Sequence, residues 1–176
     1  KCIVVIITSD KCYENKEWEW GYREIDELGG SDPYSASKAA AELAFSSYYR
    51  SFFSKKSLSK IRIASARAGN VIGGGDWAEN RIVPDCIKAW VENSTVKIKS
   101  PNSTRPFQHV LEPLSGYISL ASKLNLDDSI SGESFNFGPL SNSNYKVIEV
   151  VKKLSESWSS SKSVSYTHLT LPTNGT

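Results

Sequence analysis

The sequence predicts an α/β fold organised around a parallel sheet, and three observations carry that prediction. Two short, β-branched apolar runs, at 3–7 and 61–66, have the composition of strands buried on both faces. An Ala-rich segment with its own start signal lies between them, and strand-like and amphipathic helical stretches keep alternating after residue 80.

The first run, Ile3-Val4-Val5-Ile6-Ile7, reads as a buried strand. Ser31 and Asp32 offer N-cap oxygens and Pro33 suits the first helical position, so a helix is predicted from Tyr34 to about Phe53. With the strand at 61–66 this completes one βαβ unit. A Gly-rich loop follows at 69–76. Ile82, Val83, Cys86, Ile87, Trp90 and Val91 then recur at helical spacing, with Pro84 implying an irregular first turn. Short strands are expected at 96–99, 107–110 and 134–137, and helices at 113–124 and 145–158. In the last of these Val147, Val150, Val151, Leu154 and Trp158 make one apolar face. Residues 159–176, Ser/Lys-rich and then without period, are expected to be a disordered or non-native tail.

A chain of 176 residues can bury one sizeable core. At 39% hydrophobic and 23% charged residues with a net charge of +2, it resembles neither a disordered chain nor a polynucleotide binder, and no nucleic-acid partner is expected. The apolar start is too short for a membrane helix, so no membrane partner is expected either. Cys2, Cys12 and Cys86 are odd in number and lack zinc-site spacing, which points to free thiols in a reducing compartment, the cytoplasm. Only two histidines occur, His109 and His168, and no metal site is expected. The chain has no Met, so it need not begin where its gene begins.

Tyr34 and Lys38 stand at i and i+4 of the predicted helix, so their polar tips can converge on one ligand. That spacing is also common for an ordinary surface Tyr and a solvated Lys. Its context adds weight, because the pair opens the helix of a βαβ unit and the preceding strand runs into Thr8-Ser9-Asp10-Lys11. Those polar groups would lie at the carboxyl edge of the sheet, where open α/β folds bind ligands. A phenol is a poor base at neutral pH, but a neighbouring ammonium favours phenolate. Such a phenolate could take a proton from a sugar hydroxyl while hydride leaves the same carbon for a nicotinamide.

Asp32-Pro33-Tyr34-Ser35-Ala36-Ser37-Lys38, with Thr8-Ser9-Asp10-Lys11-Cys12-Tyr13 before it and Arg67-Ala68-Gly69-Asn70-Val71-Ile72-Gly73 after it, resembles the extended short-chain dehydrogenases that act on nucleotide sugars. The resemblance covers about residues 1–158. It implies the C-terminal part of a Rossmann-like doubly wound parallel sheet plus portions of a smaller substrate-binding domain. The implied division is 1–79 for the second half of the Rossmann-like domain and 80–158 for a mostly substrate-binding region with interleaved Rossmann elements. It further implies NAD as cofactor, a nucleotide-diphosphate sugar as substrate and a homodimeric parent.

By that resemblance Tyr34 is the active-site base, Lys38 binds the nicotinamide ribose, and Thr8 hydrogen-bonds near the sugar C4 hydroxyl. Asp10 takes the position of the acid that protonates the departing C6 oxygen. Lys11 stands where the dTDP-glucose enzymes carry Glu, which favours a CDP-glucose substrate. It could act as a desolvated base or as a cation stabilising an enolate. Asn70, Arg81, Arg105 and Asn136 are implied substrate contacts, with Val71 beside the nicotinamide. For the arginines the chemistry agrees, since a guanidinium fork matches phosphate oxygens. Ordinary structural roles remain open for all of these, and His109 is expected to order the local backbone.

The family's G-x-G-x-x-G is absent, and so is its acidic ribose ligand; Gly73-Gly74-Gly75-Asp76 does not follow that order. The expectation is therefore a fragment of a nucleotide-sugar 4,6-dehydratase that binds NAD poorly and turns over little by itself. The rivals are a nucleotide-sugar 4-epimerase, which would use Tyr34 and Lys38 without Asp10 as acid, and a non-catalytic α/β interaction module.

Overall fold

A computed structural model describes residues 1–54, 60–140 and 145–158, and the backbone of 164–166. In chain order the elements are β1 Cys2–Ile7, a 3-10 turn Asp10–Cys12, α1 Pro33–Tyr48 running into a π-helical turn Tyr49–Phe53, β2 Ile61–Ala68 and β3 Val71–Ile72. They continue with α2 Ile82–Val91, β4 Val96–Ile98, β5 Thr104–Arg105, β6 Gln108–His109 and α3 Leu111–Leu126. The last are β7 Ser134–Phe137, β8 Tyr145–Lys146, α4 Val147–Glu156 and β9 Val164–Tyr166.

These elements form two compact units, one of Lys1–Val71 with Gln108–Ser141 and one of Ile72–Phe107 with Asn142–Thr176. Beside residues 1–71, the first unit takes in β6, α3 and β7.

The first unit is a parallel sheet in the order β1-β2-β7. Its central strand pairs Val5 with Ala64 on one side and Arg67 with Asn136 on the other. Side chains alternate across a strand, so one face collects Ile3, Val5, Ala64, Ala66, Phe135 and Phe137. On that face α3 buries Leu120 and Leu124, with Tyr117 meeting Phe137 edge to face at 5.4 Å. Gly116 permits this approach: a Cβ there would stand 2.4 Å from the Phe137 ring. The opposite face carries Ser65, Arg67, Ser134 and Asn136 and receives α1.

The local signals for α1 are met closely. Asp32 is the N-cap, its Oδ1 accepting from the amides of Tyr34 at 2.9 Å and Ser35 at 3.0 Å, and Pro33 opens the helix. The regular helix stops at Tyr48, five residues short of the expected end, because the last turn widens to π geometry and Ser54 N–H bonds Tyr49 O at 2.9 Å.

The second unit packs α2 and α4 around Cys86, Trp90, Val96, Ile98 and Val151. Pro84 leaves α2 regular, since it falls in the first turn, where a helix amide has no intrahelical partner. Tyr145 and Lys146, expected to be helical, instead pair antiparallel with β5 as β8, and α4 starts at Val147. Val164–Tyr166, inside the expected tail, pairs in parallel with β4. Val-Ser-Tyr has strand propensity that a three-residue run shows too weakly to read alone. The rest of 159–176 lies outside the described residues. Among the described residues no helix is long and apolar enough to cross a membrane.

Candidate active site

The candidate site is built where β1 ends. Ser9, extended at φ −158°, caps the 3-10 turn: its Oγ accepts from Lys11 N–H at 3.2 Å and donates to Asp10 Oδ1 at 2.9 Å. The cap turns the chain so that Asp10 is partly exposed and Lys11 exposed, while Cys12 and Tyr13 go inward. Against this turn packs α1. Its N-cap Asp32 is held below the usual carboxylate range by the Ser35 hydroxyl and amide first, then by the Tyr34 amide and the charge of Lys11. Lys11 and the start of α1 are thus electrostatic neighbours.

On α1 the Tyr34 side chain is 56% exposed and the Lys38 Nζ lies 5.6 Å from its ring centroid. The pair shares one helix face, as its spacing predicts, and the phenol is open to a ligand. Among the described residues no carboxylate pairs with Lys38, which leaves its ammonium free to act on Tyr34 or on a bound hydroxyl.

One turn farther along that face is Glu42, only 1% exposed. Its Oε1 accepts from Thr8 Oγ1. Its Oε2 accepts from Arg67 at 2.7 Å, Ser65 at 2.9 Å and Ser134 at 3.2 Å. Burial would raise the Glu42 carboxyl, but the hydrogen bonds and charge of Arg67 and the Thr8 and Ser65 hydroxyls outweigh it, and Glu42 lies below the ordinary carboxylate range. Arg67 also donates to Tyr13 Oη at 2.7 Å and to the Glu24 carbonyl at 3.0 Å. The Thr8 hydroxyl is therefore committed inside the protein, and the hydroxyl beside Asp10 belongs to Ser9.

Asn136 is also engaged internally. Its Oδ1 accepts from Tyr13 Oη at 2.7 Å and its Nδ2 donates to the Tyr22 carbonyl at 2.9 Å. It holds the 13–22 segment, where Tyr13 and Tyr22 stack at 5.1 Å. Asn70 and Val71 follow β2 at the same carboxyl edge of the sheet, and the Asn70 carbonyl accepts from Gln108 N–H at 3.0 Å. His109 orders backbone: its Nδ1 accepts from Leu111 N–H at 3.3 Å at the start of α3.

Arg81 and Arg105 belong to the second unit. Arg81, exposed, is the N-cap residue of α2 with its Nε 4.0 Å from Asp76. Arg105, on β5, donates to the adjacent Thr104 carbonyl at 2.9 Å. Ser9, Glu42, Arg67 and Tyr13 were not singled out individually from sequence. The available signals were Glu42 at i+4 from Lys38 and Arg67 among the small residues that end β2.

No known sequence-family profile matches the chain. Among curated proteins it is 50% identical over 157 residues to a CDP-glucose 4,6-dehydratase of Salmonella typhimurium, an alignment covering 88% of this chain and 44% of that protein. Among solved structures it matches a dTDP-glucose 4,6-dehydratase of Bacillus anthracis in complex with NAD at TM-score 0.75 and 21% identity, covering 93% of this chain and 49% of the other. It also matches a UDP-glucuronic acid 4-epimerase of Bacillus cereus at TM-score 0.74 and 19% identity, covering 94% and 48%. The chain thus spans about half the length of these proteins. With half of the 157 aligned residues identical to a nucleotide-sugar dehydratase, the Tyr34–Lys38 pair on a βαβ helix and a sheet shared with such enzymes, the chain belongs to the extended short-chain dehydrogenase/reductase family.

Proposed function

We propose that this chain supplies the Tyr/Lys catalytic centre of an NAD-dependent nucleotide-sugar 4,6-dehydratase, with CDP-glucose as substrate and CDP-4-keto-6-deoxyglucose as product. The observation that carries the reading is the exposed Tyr34 with the Lys38 ammonium beside its ring, on a helix packed against the Ser9-Asp10-Lys11 turn. The 50% identity to a CDP-glucose dehydratase directs the choice of sugar nucleotide.

The side chains present suit a nicotinamide site, because an exposed phenol and an ammonium one helical turn apart can meet a ribose and a sugar hydroxyl together. When bound, NAD supplies the redox chemistry, taking hydride from C4 of the sugar and returning it to C6. Tyr34 removes the C4 hydroxyl proton, and Lys38 stabilises its phenolate and binds ribose. Ser9, whose hydroxyl stands at the turn, takes the C4-side contact assigned from sequence to Thr8. Asp10 protonates the C6 oxygen as water leaves. Lys11 either removes the acidified C5 proton or stabilises the enolate, and Asn70, Arg81 and Arg105 contact the nucleotide sugar. Asn136 serves by holding the Tyr13–Tyr22 segment. Val71 keeps its place beside the nicotinamide.

A homodimer is supported by the outward face of α1 and the π-helical turn after it, where Leu43, Tyr48 and Phe52 are each at least 60% exposed. The three free cysteines support a cytoplasmic site.

The test is to incubate the complete gene product with CDP-glucose and NAD and analyse the sugar. A 4-keto-6-deoxy product, lighter by one water, supports the dehydratase. An isomeric sugar retaining its C6 hydroxyl instead assigns a 4-epimerase, the reading favoured by the fold shared with the B. cereus enzyme.

A further inference from the structure

We propose that Glu42 is a positioning residue that sets the Tyr34–Lys38 helix against the Ser9-Asp10-Lys11 turn, with Arg67 as its counter-ion and Thr8 as its link to the turn. This assignment rests on the function proposed above. Tyr34, Lys38 and Glu42 follow one another at i, i+4 and i+8, so all three lie on one helix face. Tyr34 is open to solvent, whereas Glu42 is buried and bonds all three strands of the sheet: Thr8 directly after β1, Ser65 and Arg67 on β2, and Ser134 on β7.

A carboxylate offers about four acceptor sites, and four donors converge on Glu42. At 1% exposure, with both oxygens turned to donors inside the protein, it meets no ligand, so its effect on chemistry must be indirect. Two fixed points define that effect. Bonding along β2 and β7 prevents α1 from sliding or rotating about its axis, and the Thr8 bond holds the residue peptide-linked to Ser9. Arg67 keeps Glu42 ionised in its buried place and extends the clamp to Tyr13, directly after the turn. Tyr34 and Asp10 must serve one sugar ring, where displacement by about 1 Å can cost two orders of magnitude in rate.

Three variants of the complete gene product test this: Thr8→Val, which removes the link and leaves the Glu42–Arg67 pair; Thr8→Ser, which restores the hydroxyl; and Glu42→Gln, which presents an amide to the four donors. Hydrogen exchange is followed residue by residue, and kcat and KM for CDP-glucose are measured alongside. The expected result for Thr8→Val is exchange faster by about tenfold at Lys11 to Tyr13 and at the first turn of α1, with β2 and α3 unchanged. Its kcat should fall about 30-fold or more with KM within about threefold, and Thr8→Ser should recover most of the loss.

Uniformly faster exchange through β1, β2 and α3 would show a purely structural ion pair and overturn the proposal. So would an unchanged turn in both Thr8→Val and Glu42→Gln. If the wild-type protein makes no keto sugar, the dehydratase reading fails, and the exchange pattern still decides whether Glu42 sets the turn against the helix.

Discussion

Glu42 and Arg67 meet at 2.7 Å with their side chains 1% and 4% exposed, an ion pair almost wholly out of water that joins α1 to the centre of the sheet. Removing one partner of such a pair leaves a buried charge uncompensated, at a cost of about 3–5 kcal/mol. Glu42→Ala and Arg67→Ala should each lower unfolding stability by that order in urea titrations. The double variant should cost less than the sum of the two.

The same pair fixes the acid limb of stability. The folded-state pKa of Glu42 is depressed, because the Arg67 contacts and the Thr8 and Ser65 hydroxyls outweigh burial. The unfolded carboxyl titrates near 4.3. Its contribution is therefore fully present above the unfolded value, declines as pH falls below it and is lost below the depressed folded value. Stability plotted against pH should drop on acidification below about pH 4.5. In Glu42→Gln that drop should be shallower from a lower plateau; an equally steep drop would assign the limb to other carboxylates.

The three thiols separate by burial. Cys12 and Cys86 are fully buried, and burial, the largest cause for each, pushes them up to about 11 and about 12. For Cys12 the opposing pull of Arg67 is not enough. At pH 8 the thiolate fraction of Cys12 is then on the order of one in a thousand. Iodoacetamide on the native protein should label the exposed Cys2 and spare the other two, and denaturant should make all three reactive. Peptide mass mapping reads this directly; rapid native labelling of Cys12 would mean that the turn following β1 opens.

Much of this architecture was legible because its signals are local. The β-branched runs of β1 and β2, the Asp32-Pro33 start of α1 and the i, i+4 spacing of Tyr34 and Lys38 each lie within a few neighbouring residues. What could not be read depends on register. Whether Thr8 or Ser9 presents its hydroxyl to the turn is a question of strand phase, which appears only once β1 lies against β2. The donors around Glu42 come from 23 to 92 residues away in sequence, so no window shows them together. The resemblance implied Asn136 as a substrate contact, and only the fold shows its amide bonded to Tyr13 and Tyr22.

Close packing between α3 and β7 gives a separate test of the core. Alanine for Gly116 would gain about 1 kcal/mol of helix propensity. Its Cβ would meet the Phe137 ring at 2.4 Å, a ring already set edge to face on Tyr117. Overpacking of this kind costs about 1–3 kcal/mol, so Gly116→Ala should be net destabilising by denaturant titration. In a Phe137→Leu background the same change should cost less, since the clashing ring edge is gone. Equal cost in both backgrounds would place the strain elsewhere.

Under the proposed function, the chemical roles separate by which step each substitution stops. Tyr34→Phe removes the proton acceptor proposed for the C4 hydroxyl, so reduction of bound NAD by CDP-glucose, followed at 340 nm, should slow by about 10²–10⁴-fold. Asp10→Asn leaves that oxidation intact and removes the acid for the C6 oxygen. It should therefore accumulate reduced cofactor with a 4-keto sugar that still carries its C6 hydroxyl. Lys11→Gln distinguishes the two roles open to that residue. If Lys11 is the base for C5-H, solvent deuterium should fail to wash into C5 of the accumulated ketone. If it only stabilises the enolate, wash-in should persist at a reduced rate. A 4-epimerase would respond to Tyr34→Phe and be little affected by Asp10→Asn, so the ratio of the two losses reports which chemistry the turn after β1 serves.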